Sequence, residues 1–297
     1  MINNSCEKKY AIALGFFDGL HRAHKQVLDK ACSLSGKGFV PAVILFDEHP
    51  RKVISGDDIP LLLENTKRDR ILEEMGMNCL YLSFRDIMNM TPEEFVDDIL
   101  IKKFNAGAVV AGFNYRFGKN GAGDSDMLIH LCSEKGIEVT VCREFFPDGE
   151  KVSSTRIRKA IENGNIEYAN RLLGYEFGFS AEVFSGDKRG RTLGTPTINQ
   201  FFPDGLIIPK LGVYAVKLRI DGKEYKGVAN IGCRPTFGEG NIRSETYIMD
   251  FEGDLYGSIV EISLCSFLRE EKKFSSAEEL KQRIRQDIAE AEACFTA

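Results

Sequence analysis

His21 and His24 stand three residues apart in the stretch GFFDGLHRAH, and the rest of the chain holds only His49 and His130. Residues three apart share a face of a helix. Just upstream, the apolar run Tyr10–Leu14 reads as a buried strand that breaks at Gly15. Asp18-Gly19 follows as a turn, and an amphipathic pattern then runs from His21 to near Gly36. A strand, a glycine turn and a helix start form the place where an α/β protein seats phosphate. Free backbone N–H groups and the positive end of the helix dipole converge there. The plain alternative for two such histidines is a surface pair or a helix cap. A zinc site is the weaker reading, because no Glu or Cys joins them at ligand spacing.

Three further stretches carry residue types suited to phosphate. Gly112-Phe113-Asn114-Tyr115-Arg116-Phe117-Gly118, followed by Gly121 and Gly123-Asp124, crowds glycines at a strand end. Such glycines admit a ligand close to the backbone, and Arg116 can meet phosphate. Ser153-Ser154-Thr155 opens a helix with Arg156 and Arg158 behind it. The hydroxyls are good caps, and the arginines suit a polyphosphate. In the second half, GDKRGRTLGTPTIN (Gly186–Asn199) is a basic glycine loop that enters a Pro-Thr-x-Asn. Thr197 and Asn199 offer hard oxygen ligands to Mg²⁺ there. A merely solvated loop would leave that spacing unexplained.

The elements that must position these residues fall into two groups. From Tyr10 to Cys142, apolar runs at Tyr10–Leu14, Phe39–Phe46, Asn78–Leu82, Ala108–Gly112 and Glu138–Cys142 alternate with helical patterns near 22–35, 66–75, 92–103 and 124–135. This alternation predicts a parallel sheet flanked by helices, with ligands at the carboxyl ends of its strands. Phe46-Asp47-Glu48-His49-Pro50 ends the second strand as one wall of the pocket, with His49 held extended before Pro50. Beyond Gly174 the chain turns strand-rich: Phe179–Ser185, Val213–Ile220, Lys223–Ile231, Glu245–Phe251 and Ser258–Leu268. Asp221-Gly222 marks a hairpin. A helix from Ser275 to about Ala293 follows, with Ser275 as cap and Glu278 completing a capping box. Five strands and a terminal helix predict a small closed barrel. The domain boundary is expected between Tyr175 and Phe179, giving domains 1–178 and 179–297.

A chain of 297 residues is long enough for two such cores. Its net charge of −5 argues against nucleic acid as a main partner. The eight cysteines contain no CxxC and sit largely in apolar runs, as reduced core thiols would. The N-terminal stretch MINNSCEKKY has no apolar core, and no run approaches membrane length. The expectation is a cytoplasmic protein; the sequence leaves its oligomeric state open.

These stretches together resemble the bacterial bifunctional riboflavin kinase/FAD synthetase family. GFFDGLHRAH is similar to that family's G-x-F-D-G-x-H-x-G-H, with Ala23 in place of a glycine. Phe46–Pro50 resembles F-x-P-H-P with Glu48 for the first proline, Gly112–Gly118 resembles G-x-[DN]-[FY]-x-F-G, and Val152–Arg158 resembles I-S-S-T-x-x-R. The basic loop resembles G-x-x-x-G-R-x-L-G-x-P-T-x-N, with Thr195 at a usually apolar position. Gly212-Val213-Tyr214, Asn230–Phe237, Glu245 to Phe251, Leu255-Tyr256-Gly257 and Leu268 to Phe274 continue the kinase pattern in order. The likeness covers nearly the whole chain.

The resemblance implies an N-terminal Rossmann-like nucleotidyltransferase domain and a C-terminal riboflavin-kinase barrel closed by a helix. It implies Mg²⁺-dependent phosphorylation of riboflavin by ATP, then adenylylation of FMN by a second ATP to give FAD and pyrophosphate. It assigns nucleotide contacts to Gly15, Phe17, Asp18, Gly19, Asn114, Ser153, Ser154, Thr155 and Arg158. In the barrel it assigns them to Gly186, Lys188, Gly190, Arg191, Gly194 and Pro196. Flavin contacts fall to Asn114, Arg234 and Arg269, and Mg²⁺ to Thr197 and Asn199. Glu245, otherwise an ordinary strand-edge charge, becomes the base for the riboflavin 5′-hydroxyl. His21 and His24 donate to phosphate where charge develops. Two alternatives stand beside this: a kinase with a weakened or inactive synthetase, prompted by Ala23, and a non-catalytic flavin or nucleotide sensor.

Overall fold

The computed structural model describes residues 8–185, 196–233 and 242–296. The chain forms two compact units. One holds the residues up to Ile59 and Asn65–Ser153; the other holds Pro60–Glu64 and the chain from Ser154 onward.

The first unit is a five-stranded sheet. Its elements are β1 (Tyr10–Leu14), α1 (Arg22–Ser33), β2 (Val40–Phe46), α2 (Pro50–Ser55), α3 (Asn65–Glu74), β3 (Asn78–Leu82), α4 (Phe84–Ile87), α5 (Pro92–Glu94), β4 (Ala106–Gly112), α6 (Ser125–Glu134) and β5 (Glu138–Cys142). All pairings are parallel, in the order β3-β2-β1-β4-β5. Ile12, Leu14, Ala42, Ile44, Val109 and Ala111 are buried and meet Phe95, Leu100 and Leu128 from the helices. The helix expected over 92–103 is one α turn followed by a π-helix, Phe95–Lys103. Thr91 starts it with a full capping box: its side chain accepts from Glu94 N–H while the Glu94 carboxylate accepts from Thr91 N–H. The strand order reverses between β1 and β4. That is the switch point at whose carboxyl edge open α/β sheets bind ligands.

The second unit begins with α7 (Ser154–Glu162) and α8 (Ile166–Leu173), which precede β6 (Gly178–Phe184), β7 (Thr197–Phe201), β8 (Gly212–Ile220), β9 (Lys223–Cys233), β10 (Ile242–Ile248), β11 (Ile259–Arg269) and α9 (Ala277–Cys294). The strands close into an antiparallel barrel, β10-β7-β6-β11-β8-β9. Its sixth strand, β7, is the one that patterning missed. Its centre, Asn199-Gln200, is poor in strand propensity, yet the barrel gives the Gln200 amide nitrogen two acceptors, while its Oε1 has no partner among the described residues. The buried Gln200 amide donates to Ala181 O at 2.6 Å and Val260 O at 2.8 Å. Asp221 (φ 48°) and Gly222 (φ 76°) both take the left-handed conformation that a two-residue hairpin demands. The terminal helix starts one residue later than expected. Ser276 is its cap and accepts from Glu279 N–H, while Ser275 N–H and Oγ donate to the Glu279 carboxylate. Val213, Ala215, Val228 and Met249 of the barrel form a buried cluster with Ala291 of α9. Leu61, from the earlier half of the chain, belongs to this unit: its N–H donates to Gly205 O, and Ile207 N–H donates to Leu61 O.

Candidate active sites

The loop after β1 is shaped by three left-handed residues, Phe17 (φ 53°), Gly19 (φ 76°) and Leu20 (φ 39°). This folding turns the Phe17 ring back over Gly15, where a Cβ would lie 3.0 Å from the ring. Phe17 and Asp18 are buried, and Phe17 meets the His24 ring edge-on at 5.3 Å. His21 is the cap of α1 and not its first helical residue. Its Nδ1 accepts from His24 N–H at 3.2 Å. The two imidazoles stack with centroids 3.6 Å apart and planes 18° apart. Burial, and next the neighbouring His21, hold the His24 imidazole well below its ordinary value of 6.5. His24 is therefore neutral at pH 7, with a buried Nδ1 that has no hydrogen-bond partner among the described residues. The chemistry available at this helix start is donation from a neutral ring toward an anion.

Two more loops stand at the same edge of the sheet. After β4, Phe117 and Gly123 exchange backbone hydrogen bonds, and the Phe117 ring lies where a Gly123 Cβ would be. This closes a glycine loop that leaves Asn114 exposed. Arg116 faces Asp124 at 3.6 Å. Asp124 itself caps α6 by accepting from Met127 N–H. After β2, His49 is extended (ψ 127°) and caps α2, and its ring lies 4.2 Å from that of Phe16. The loops after β1 and β2 thus touch. Ser153 belongs to this unit, whereas Ser154, Thr155 and Arg158 lie on α7 in the second. There Arg158 Nε donates to Pro60 O at 2.8 Å.

On the barrel, Thr197 and Asn199 alternate along β7 and so share one face. Glu245 sits in the middle of β10, not at its start, and pairs in register with Asn199 on β7 and Asn230 on β9. The Asn230 amide donates to Glu271 at 3.1 Å. Arg243, two residues before Glu245 and on the same face, donates from Nη2 to Glu245 Oε1 at 2.9 Å. Sequence reasoning did not single it out, although the period-two spacing Arg243-x-Glu245 signals a shared face. Arg269 forms a two-pronged pair with the buried Asp287 of α9, at 2.8 and 2.7 Å, and Arg283 shares that carboxylate. Pro196 and Thr197 line a cleft of about 620 Å³ with Tyr247, Phe251, Leu255 and Tyr256. Gly186, Lys188, Gly190, Arg191, Gly194 and Arg234 lie outside the described residues.

The donor set on β7 fits a hard divalent cation that also holds substrate phosphates. Such a cation keeps several waters and needs few protein oxygens. Among the described residues no group of three or more His, Cys, Asp or Glu could hold a metal.

A family model for FAD synthetase matches residues 3–156, and one for riboflavin kinase matches residues 173–295. Over 290 residues the chain is 38% identical to the bifunctional riboflavin kinase/FMN adenylyltransferase of Listeria monocytogenes, covering 96% of this chain and 92% of that one. The protein of the same name from Bacillus subtilis is 36% identical over 299 residues, with 98% and 94% covered. A crystal structure from Streptococcus pneumoniae, described as a macrolide-efflux protein, matches with a TM-score of 0.86 at 32% identity over 95% of this chain and 93% of that one. That description belongs to that protein. No helix among the described residues of this chain is long and apolar enough to cross a membrane.

Proposed function

The chain belongs to the bifunctional riboflavin kinase/FMN adenylyltransferase family, and from that premise we propose how its residues divide the two reactions. The enzyme makes FMN from riboflavin and FAD from FMN, using ATP in both steps. The kinase is assigned to residues 179–297 and the adenylyltransferase to 1–178.

In the kinase step the riboflavin 5′-oxygen attacks the γ-phosphorus of ATP. The bond from that phosphorus to the β,γ-bridging oxygen breaks, and ADP leaves with the electron pair. Glu245 accepts the hydroxyl proton and later releases it to water. Thr197 and Asn199 would hold Mg²⁺, which supplies charge neutralisation on the phosphates. The cleft beside Pro196 and Tyr256 takes the nucleotide. Gly186, Lys188, Gly190, Arg191 and Gly194 contact its phosphates, and Arg234 and Arg269 face the flavin, on the strength of the sequence likeness.

In the second step an FMN phosphate oxygen attacks the α-phosphorus of ATP, and pyrophosphate leaves. No enzyme nucleophile is required. His21 and His24 donate to the phosphate oxygens as charge builds, with Gly15, Phe17, Asp18 and Gly19 shaping that turn; Asn114, in the loop after β4, keeps its nucleotide and flavin role on the strength of the sequence likeness. Ser153, Ser154, Thr155 and Arg158 keep their triphosphate role on sequence grounds. The free cysteines among the described residues accord with a reducing cytoplasm.

The observation that carries the kinase reading is the register of Glu245 with Asn199, which sets a carboxylate opposite a hard oxygen donor on the β7 face that Asn199 shares with Thr197, a residue of the cleft lining. The test is incubation with riboflavin, ATP and Mg²⁺ followed by chromatography. FMN and FAD together support the reading. FMN alone leaves a kinase with an inactive synthetase, and neither product leaves a binding protein.

A further inference from the structure

Arg243 is 5% exposed, and it occupies β10 between Phe201 of β7 and Gly232 of β9. A guanidinium is withdrawn from water at high cost unless it is paired. The ion pair it makes is with Glu245, through Nη2 and Oε1 at 2.9 Å. Its Nε is also buried and finds no hydrogen-bond partner among the described residues. An arginine kept purely for packing would have its donors satisfied, as buried polar groups generally do. Among the described residues Arg243 is not fully satisfied.

A glutamate carboxylate on a three-torsion side chain is a poor base until something fixes its direction. In phosphoryl transfer little covalent work falls to the protein, so orientation of the attacking hydroxyl governs the rate. The guanidinium fork is the donor best suited to holding a carboxylate plane. We propose that Arg243 is a positioning residue for riboflavin phosphorylation, acting through the Oε1 oxygen of Glu245 to hold the base in its working orientation. The proposal rests on the reading of Glu245 as base.

Arg243→Met in the full chain should lower kcat for FMN formation by roughly ten- to a hundredfold, the usual result of misplacing a reacting group by about an ångström. KM for ATP and for riboflavin should change less than about twofold. Arg243→Lys, which returns a charged donor without the fork, should recover part of the loss. An unchanged kcat in the Met variant overturns the proposal. So does a rise in both KM values at constant kcat. If the Met variant fails to fold, the Lys variant decides: a lower kcat at constant KM supports the proposal, and a native kcat overturns it. Glu245→Gln is assayed beside them. Full FMN formation by that variant removes the base reading itself, whereas its loss together with a native Arg243→Met rate removes only the role of Arg243.

Discussion

Glu245 and Asn199 face each other across the β10–β7 ladder, in the same register that pairs Glu245 with Asn230 on the other side. Directly opposed residues on a sheet face sit with Cβ atoms about 5 Å apart. A carboxylate and a neutral oxygen donor at that separation can share one phosphoryl group and its nucleophile. Glu245→Gln removes the proton acceptor and keeps the shape. FMN formation should fall by roughly 10²–10⁴, the usual range for a general base, while FAD formation from supplied FMN stays near native. Equal loss of both activities in a folded variant would count against separate kinase and synthetase sites.

Asn199→Ala deletes one hard oxygen from the shared face of β7. We expect the Mg²⁺ concentration for half-maximal FMN formation to rise by about an order of magnitude, in the range seen when a metal site loses a supporting group. A titration with Mg²⁺ at fixed ATP reads this directly. An unchanged midpoint would take Asn199 out of the metal site.

His24 gives a pH dependence with a definite sign. Its imidazole titrates well below 6.5 in the folded chain because burial, and then His21, oppose the charge. Between that lowered value and 6.5 the unfolded chain binds a proton that the folded chain does not. Stability is therefore full above 6.5 and declines as the pH falls through this window. His24→Gln, which cannot titrate, should flatten the fall in melting temperature between about pH 7 and pH 5. The same variant should lower FAD synthesis by roughly 10²–10³, as for a lost donor to transition-state charge. If the slope stays as in the native chain, the neutral buried state assigned to His24 is wrong.

Gly15→Ala tests the turn itself. The new methyl meets the Phe17 ring at 3.0–3.4 Å, and Phe17 is buried against His24. Overpacking of this kind costs about 1–3 kcal/mol and should shift the imidazole along with the ring. FAD synthesis should drop while riboflavin phosphorylation holds. Parallel assays of the two steps, with a melting curve, check this.

Ala23→Gly addresses the departure from the family signature. Ala23 is the second residue of α1, where backbone strain does not call for glycine. The substitution should cost about 1 kcal/mol or less of stability. On the proposed nucleotide role of this turn, removing the methyl should lower KM for ATP in FAD formation and leave the kinase unchanged. Should the native chain make no FAD at high ATP while Ala23→Gly does, the weakened-synthetase reading takes over.

Local chemistry in the sequence already settled much of this protein. The run Tyr10–Leu14 is β1 to the residue, because a short apolar stretch stopped by glycine has few other options. Asp221-Gly222 is the hairpin turn, since these residue types tolerate positive φ. The order of motifs, read as a resemblance, pointed to both activities. Three things came only from tertiary structure. Asn199-Gln200 looks unlike a strand, and β7 exists because Gln200 finds carbonyls on β6 and β11. The cap at His21 is local, but the burial that holds the His24 ring neutral, stacked on His21 and edge-on to the buried Phe17, belongs to the folded chain. Arg243 became visible beside Glu245 only once the burial and register of β10 were known. Turns and caps are decided by neighbours in sequence. Strand register and the satisfaction of buried polar groups are decided by partners far along the chain, and a reversed or slipped pairing would turn the same residues to the opposite face.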